Sequence, residues 1–155
     1  MNAPVPASQL LPLGSQPSEW PEQLRKIHAE LDLALSAMDA ASEGASPDRG
    51  NYSTSRWKLS VASRNRRSLV GRICQCLGPL ASPEDKIILD RLYQDDMQML
   101  RHSVAHVGEW TLDAIQQNWV GYREASRKVR ATMTARIEEE KRLLYPLLRK
   151  YTQIG

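Results

Sequence analysis

With 155 residues, 41% of them hydrophobic and 25% charged, the chain has material for one domain with a proper core and needs no second domain. The net charge of +3 and a pI near 9.0 are too small a basic excess to signal nucleic-acid binding by themselves. No apolar run approaches the ~20 residues of a membrane span, and the opening Met-Asn-Ala-Pro-Val-Pro lacks the basic start and apolar core of a secretion signal, so a cytoplasmic protein with no membrane partner is expected. Phenylalanine is absent, which leaves Leu, Ile, Val, Met and Ala, with four Trp and five Tyr, to fill the interior. Richness in Leu and Ala with few β-branched runs favours helix.

In chain order, residues 1–17 carry Pro4, Pro6, Pro12 and Pro17 and read as an extended or disordered arm that Leu10, Leu11 and Leu13 can pin to the domain surface. Ser18 is the expected cap of a first helix with Pro21 in its first turn, running to about Ala41. Its apolar seam is Leu24, Ile27 or His28, Leu31, Ala34 or Leu35, and Met38. His28 sits at the edge of that stripe and reads as a half-buried packing residue in preference to a ligand. Residues 42–53 satisfy every turn criterion. A second helix is expected from about Thr54 to Leu77, stopped by Gly78-Pro79, with Leu59, Ala62, Arg66, Leu69, Ile73 and Cys76 along one face. Cys74 and Cys76 point to nearly opposite faces and cannot bridge. Cys76 is the expected core thiol.

The third helix opens at Ser82-Pro83-Glu84-Asp85, a cap, a proline and two acids at the positive end of the helix dipole. Its seam is Ile88, Leu92, Asp95, Met99, His102 and His106. The two histidines are spaced i, i+4, as in helical metal sites, although an amphipathic face near a helix end accounts for them as well. Gly108 is the expected stop. Thr111 caps the last helix, which is expected to bend near Gly121. Its seam runs through Leu112, Ile115, Trp119, Tyr122, Ser126, Val129, Met133, Arg136, Glu140, Leu143 and Leu147 in steps of three and four. Arg136 and Glu140 fall on that core-facing stripe, where charged groups must be paired, bound, or snorkelling to water. Trp57 and Trp110 are read as core residues. The resulting fold class is all-α: an antiparallel up-down four-helix bundle over residues 18–151 with an extended N-terminal arm.

The run Arg136-x-x-x-Glu140 followed by Lys-Arg-Leu-Leu-Tyr-Pro-Leu-Leu resembles the last helix of hemerythrin-like (HHE cation-binding) domains, where His-x-x-x-Glu precedes an aromatic, a proline and two apolar residues. The resemblance covers about a dozen residues closely and the order of four helices loosely. It implies a bundle holding two irons between histidines and carboxylates. It places the family's carboxylate ligand at Glu140, its first histidine near His28, and a histidine where this chain has Arg136. In the second helix, where the family has another His-x-x-x-Glu, this chain has Ser63-Arg-Asn-Arg-Arg67. A guanidinium stays protonated and cannot coordinate a cation.

The leading expectation is therefore a metal-free hemerythrin-like bundle with a binding or structural role and no enzymatic activity. An internal polar cluster of Arg66, Arg136, Glu140, His28 and Asp95 takes the place of the di-iron centre, and no cofactor is expected. The alternative is an iron- or zinc-binding protein using a reduced ligand set of His28, His102, His106, Glu140 and Asp95. A further alternative is a module for nucleic acid or another anionic partner built on Arg56, Lys58, Arg64, Arg66, Arg67 and Arg72, cations that spread around their helix as a solvated surface does. An enzyme holding a small anion on the interior arginines, with Glu140 as acid or base, lacks a nucleophile constellation or a Gly-rich phosphate loop. The expected partners are a protein or a small anionic ligand, with homodimerisation open.

Overall fold

The computed structural model describes residues 16–152, which are all-helical, with five α-helices and no strand among them. The expected arm, including Leu10, Leu11 and Leu13, lies outside the described residues apart from Gln16 and Pro17. A 3-10 turn, Pro17–Glu19, leads into α1, Trp20–Ala41. Ser18 lies inside this turn and does not act as the cap. The entry is closed instead by the Gln16 backbone N–H, which donates to Glu19 Oε2 at 3.1 Å.

Helix α2, Arg49–Leu77, starts earlier than expected because Asp48 caps it: Asp48 Oδ1 accepts from the Asn51 N–H at 3.2 Å. That cap turns Gly50, Asn51 and Ser53, turn formers by type, into a first helical turn. The helix stops at Gly78, whose N–H closes on the Cys74 carbonyl at 3.0 Å. Helix α3, Pro83–Glu109, begins as expected, with Ser82 Oγ accepting from the Asp85 N–H at 3.2 Å.

The final segment is two helices, not one. Thr111 caps the short α4, Leu112–Gln117, by accepting from the Ala114 N–H at 3.2 Å. The chain then leaves helical geometry at Asn118 and resumes in α5, Trp119–Thr152. The interruption lies at Asn118 and not at the expected Gly121, because the Asn118 side chain takes up the Gly121 N–H at 3.0 Å. A Cβ at position 121 would collide with that same side chain, which accounts for glycine there.

Helix α1 packs along α2 and α5, and α3 packs against α2 and α5. Three apolar layers hold the four long helices together. The first gathers the beginnings of α1 and α3 and the ends of α2 and α5, with Trp20, Leu24, Ile73, Leu89, Leu144 and Leu148 at its centre. The middle layer holds Leu31, Leu35, Ala62, Met99, Met133 and Ile137. The third gathers the end of α1, the start of α2, α4 and the start of α5 through Met38, Tyr52, Ile115, Trp119 and Tyr122. Each fully withdrawn Leu or Ile contributes about 1.5–3 kcal/mol, so these layers supply the main driving force for assembly.

Three readings of the interior change. Trp57 is 67% exposed, because the inner face of α2 is set by Tyr52, Ser55, Ala62 and Arg66, and a residue two positions beyond Ser55 turns outward. Trp110 is partly buried against the third layer. Cys74 is the buried thiol, its pKa pushed up to about 12 by burial, while Cys76 is only partly covered. No helix among the described residues is long and apolar enough to cross a membrane.

Candidate functional site

Between the first and middle layers every long helix contributes a polar side chain at the same height. On α1 it is His28, between Leu24 and Leu31; on α2 Arg66, between Ala62 and Leu69; on α3 Asp96, between Leu92 and Met99; on α5 Arg136 and Glu140, between Met133 and Leu144. All five are buried, with Glu140 0%, Arg66 1% and His28 1% exposed. The helical spacing that builds the apolar seams brings these groups to one level and leaves them no route to water.

Arg66 is the centre of the cluster. Its Nη1 donates to Glu140 Oε1, and its Nη2 donates to Asp96 Oδ1 at 2.5 Å, so one guanidinium spans two carboxylates from two other helices. Glu140 Oε2 faces His28 Nε2 at 3.2 Å, and His28 Nδ1 lies 2.7 Å from the Tyr145 hydroxyl. With Glu140 ionised, His28 Nε2 carries a proton and donates to its carboxylate, which leaves Nδ1 to pair with the Tyr145 hydroxyl. Arg136 donates from Nη2 to the Leu92 carbonyl at 2.6 Å, and its Nε stands 3.7 Å from Glu140 Oε1. Arg136 Nε and Nη1 make no hydrogen bond among the described residues.

The cluster is balanced, two guanidiniums against two carboxylates, as burial requires. Burial pushes the Glu140 carboxyl up, but the His28 hydrogen bond and the charges of Arg66 and Arg136 outweigh it and hold the group below the ordinary range. For Arg66 burial lowers the pKa, and Glu140 and Asp96 more than reverse this. Both groups are thus held in their charged forms. A fixed, dry ion cluster of this kind can organise a core or bind a polar group.

The structure therefore brings together four of the five residues read as an internal cluster, His28, Arg66, Arg136 and Glu140. The fifth is Asp96, not Asp95. Asp95 is half-exposed and faces Arg91 at 3.8 Å on the outside of α3. Leu89, Leu92, Asp96 and Met99 share a seam as regular as the one read through Ile88 and Asp95, and both pass through Leu92 and Met99, so spacing alone does not separate them. His28 is fully withdrawn, not at the stripe edge. Tyr145, read only as the aromatic of the family-like run, makes the shorter of the two His28 hydrogen bonds, 2.7 Å against 3.2 Å to Glu140.

The reduced ligand set does not converge. His28 and Glu140 meet, but His102 is exposed, Asp95 points away, and His106 lies at the other end stacked on Tyr122, with ring centroids 5.9 Å apart. No group of three or more His, Cys, Asp or Glu among the described residues is arranged to hold a metal ion. Of the α2 cations grouped as an anionic-partner surface, Arg66 is internal. A third buried arginine, Arg130, was not singled out by spacing. It donates to Ser126 Oγ, and its Nε lies 2.7 Å from Asp39 Oδ1, close but poorly aligned for a hydrogen bond. No protein-family model, curated protein or solved structure matches this chain.

Proposed function

We propose that the chain is an antiparallel up-down four-helix bundle of hemerythrin-like design that works without metal, in a binding or structural role and not as an enzyme. The observation that carries this reading is the Arg66 guanidinium spanning Glu140 and Asp96. In a hemerythrin-like centre those carboxylates would face cations; here a protonated side chain of the protein already occupies both. A dication placed beside it would meet strong repulsion in a low-dielectric interior, with Arg136 adding a second positive charge on the same side. His28 and Tyr145, the remaining donors, are engaged with Glu140 and with each other. The residues present do not fit a dinuclear iron site.

Metal analysis of protein purified without added metal tests this directly. Far less than one iron or zinc per chain, and no visible band of an oxo-bridged pair, is the expected result. Stoichiometric iron with that band would overturn the reading.

A further inference from the structure

Beyond Met99, α3 carries no fully buried side chain over its last ten residues, where the partly covered Leu100, Ser103 and His106 face residues of α2 and α5 across a groove. A cavity of about 270 Å³ opens there, on the third-layer side of the ion cluster. Leu59, Leu100, Val104, Val129 and Met133 make its walls apolar. Its polar lining is of one electrical kind: Arg56, Arg67, Arg130, His106 and several serine hydroxyls, with no carboxylate among the described residues that line it.

The three arginines differ in how they are partnered. Arg130 has Asp39 beside it. Arg67 feels Asp96 electrostatically but makes no hydrogen bond or ion pair among the described residues. Arg56, half-buried, has no ion pair among them either, and lies over the Tyr122 ring with its guanidinium carbon 5.8 Å from the centroid. His106 stacks on the same ring, and Ser126, one turn further along α5, accepts from Arg130. Three nitrogen-rich side chains thus gather at the Tyr122 end, and the apolar walls run from there toward Met133.

We propose that this cavity binds a small amphipathic monocarboxylate. The carboxylate sits on Arg56, with a His106 N–H and the Arg130 charge beside it, and the apolar tail lies along Leu100, Val104, Val129 and Met133. A guanidinium offers paired donors that match a carboxylate, and half-burial beside apolar walls strengthens the attraction relative to open water. The volume lies just under the about 300–1,000 Å³ of typical small-molecule sites, which suits one short chain or ring and excludes a two-chain lipid. The proposal names an occupant for the binding role proposed above and in that respect rests on it. It uses none of His28, Arg66, Asp96 or Glu140, so metal analysis can refute the one while ligand titration upholds the other.

Calorimetric titration of the full chain with octanoate, octanol and inorganic phosphate tests it, with amide NMR shifts to locate binding. Octanoate is expected to saturate one site, shifting residues 100–107 and 122–133, and to bind at least about tenfold more tightly than octanol or phosphate. Arg56→Met should weaken octanoate at least about tenfold while leaving octanol within about threefold, and Arg64→Met, an equal loss of charge at an exposed α2 position outside the cavity lining, should change octanoate by less than about threefold. Ser103→Trp, which fills the cavity from its α3 wall, should weaken octanoate and octanol alike. No octanoate binding to chain that is folded by circular dichroism would overturn the proposal. So would equal affinity for octanol or phosphate, or an Arg56→Met variant that binds as the parent does.

Discussion

Replacing Glu140 with alanine removes the acceptor that Arg66 and His28 share and the charge that faces Arg136. Arg66 is 1% exposed and cannot turn to water, though Nη2 keeps Asp96. Hydrogen bonds to charged groups contribute about 1.5–3 kcal/mol each, and breaking a buried ion pair from one side costs about 3–5 kcal/mol. The surviving Asp96 contact puts the expected loss near the bottom of that range, about 3–4 kcal/mol. At ~2–4 °C per kcal/mol for a chain of this size, the melting midpoint should fall by roughly 6–16 °C. Glu140→Gln keeps an acceptor and the shape but loses the charge, and should cost about 2 kcal/mol. Arg136→Met with Glu140→Leu removes one guanidinium but leaves Arg66 half-paired. The fourfold change Arg66→Met, Asp96→Leu, Arg136→Met and Glu140→Leu clears both guanidiniums and both carboxylates and should recover at least half of the loss, because packed apolar side chains can match a buried ion network. Urea melts followed by circular dichroism measure all four variants. A change within about 0.5 kcal/mol for Glu140→Ala is what an exposed residue gives, and would refute the claim that this carboxylate anchors a buried cluster.

The depressed Glu140 pKa makes part of the stability pH-dependent: the contribution is complete above the unfolded carboxyl value of about 4.3 and is lost as pH falls through the lower folded value, so Glu140→Gln should show a shallower acid loss than the parent in melts compared across that window. Because Arg66 is internal and the remaining α2 cations are spread around the helix, duplex DNA should bind weakly and release by physiological salt in a gel-shift titration; a salt-resistant, sequence-dependent shift would contradict this. Cys74, raised to about 12 and buried, should react with a thiol reagent only on denaturation, while the partly covered Cys76 reacts first in the native chain; Cys76→Ser should remove the fast phase.

The helices were legible wherever a cap and a seam coincided. Ser82 with Pro83, the Gly78 stop and the three-and-four spacing from Tyr122 to Leu147 needed no tertiary information. The cluster was legible for the same reason: Arg66, Arg136 and Glu140 are charges on stripes that otherwise bury apolar groups. What spacing cannot supply is rotation about a helix axis. One residue is about 100° of turn, which is the whole difference between Asp95 and Asp96 and between Ile88 and Leu89; the exchange of Cys76 for Cys74 is a larger error, two residues or about 200°. Trp57 misled because bulk suggested burial where the α2 face did not. The cavity was hidden altogether, because spacing shows which α3 residues share a face but not that burial ends at Met99, beyond which Val104 and Val107 stay 63% and 50% exposed.

The level at which His28, Arg66, Asp96, Arg136 and Glu140 meet also acts as a vernier for the bundle. Its aliphatic layers, Leu and Met against Leu and Ile, would accept a helix displaced by one turn of about 5.4 Å with modest repacking. The ion cluster would not. Sliding α2 by that distance moves the Arg66 guanidinium away from Glu140 and Asp96 together, and leaves a dry cation facing apolar side chains with two dry anions behind it. Each such mismatch carries a penalty of several kcal/mol, as large a share of the total as a domain this size can lose and remain folded. The charged level therefore singles out one axial alignment of α1, α2, α3 and α5 from the several that their oily seams would permit.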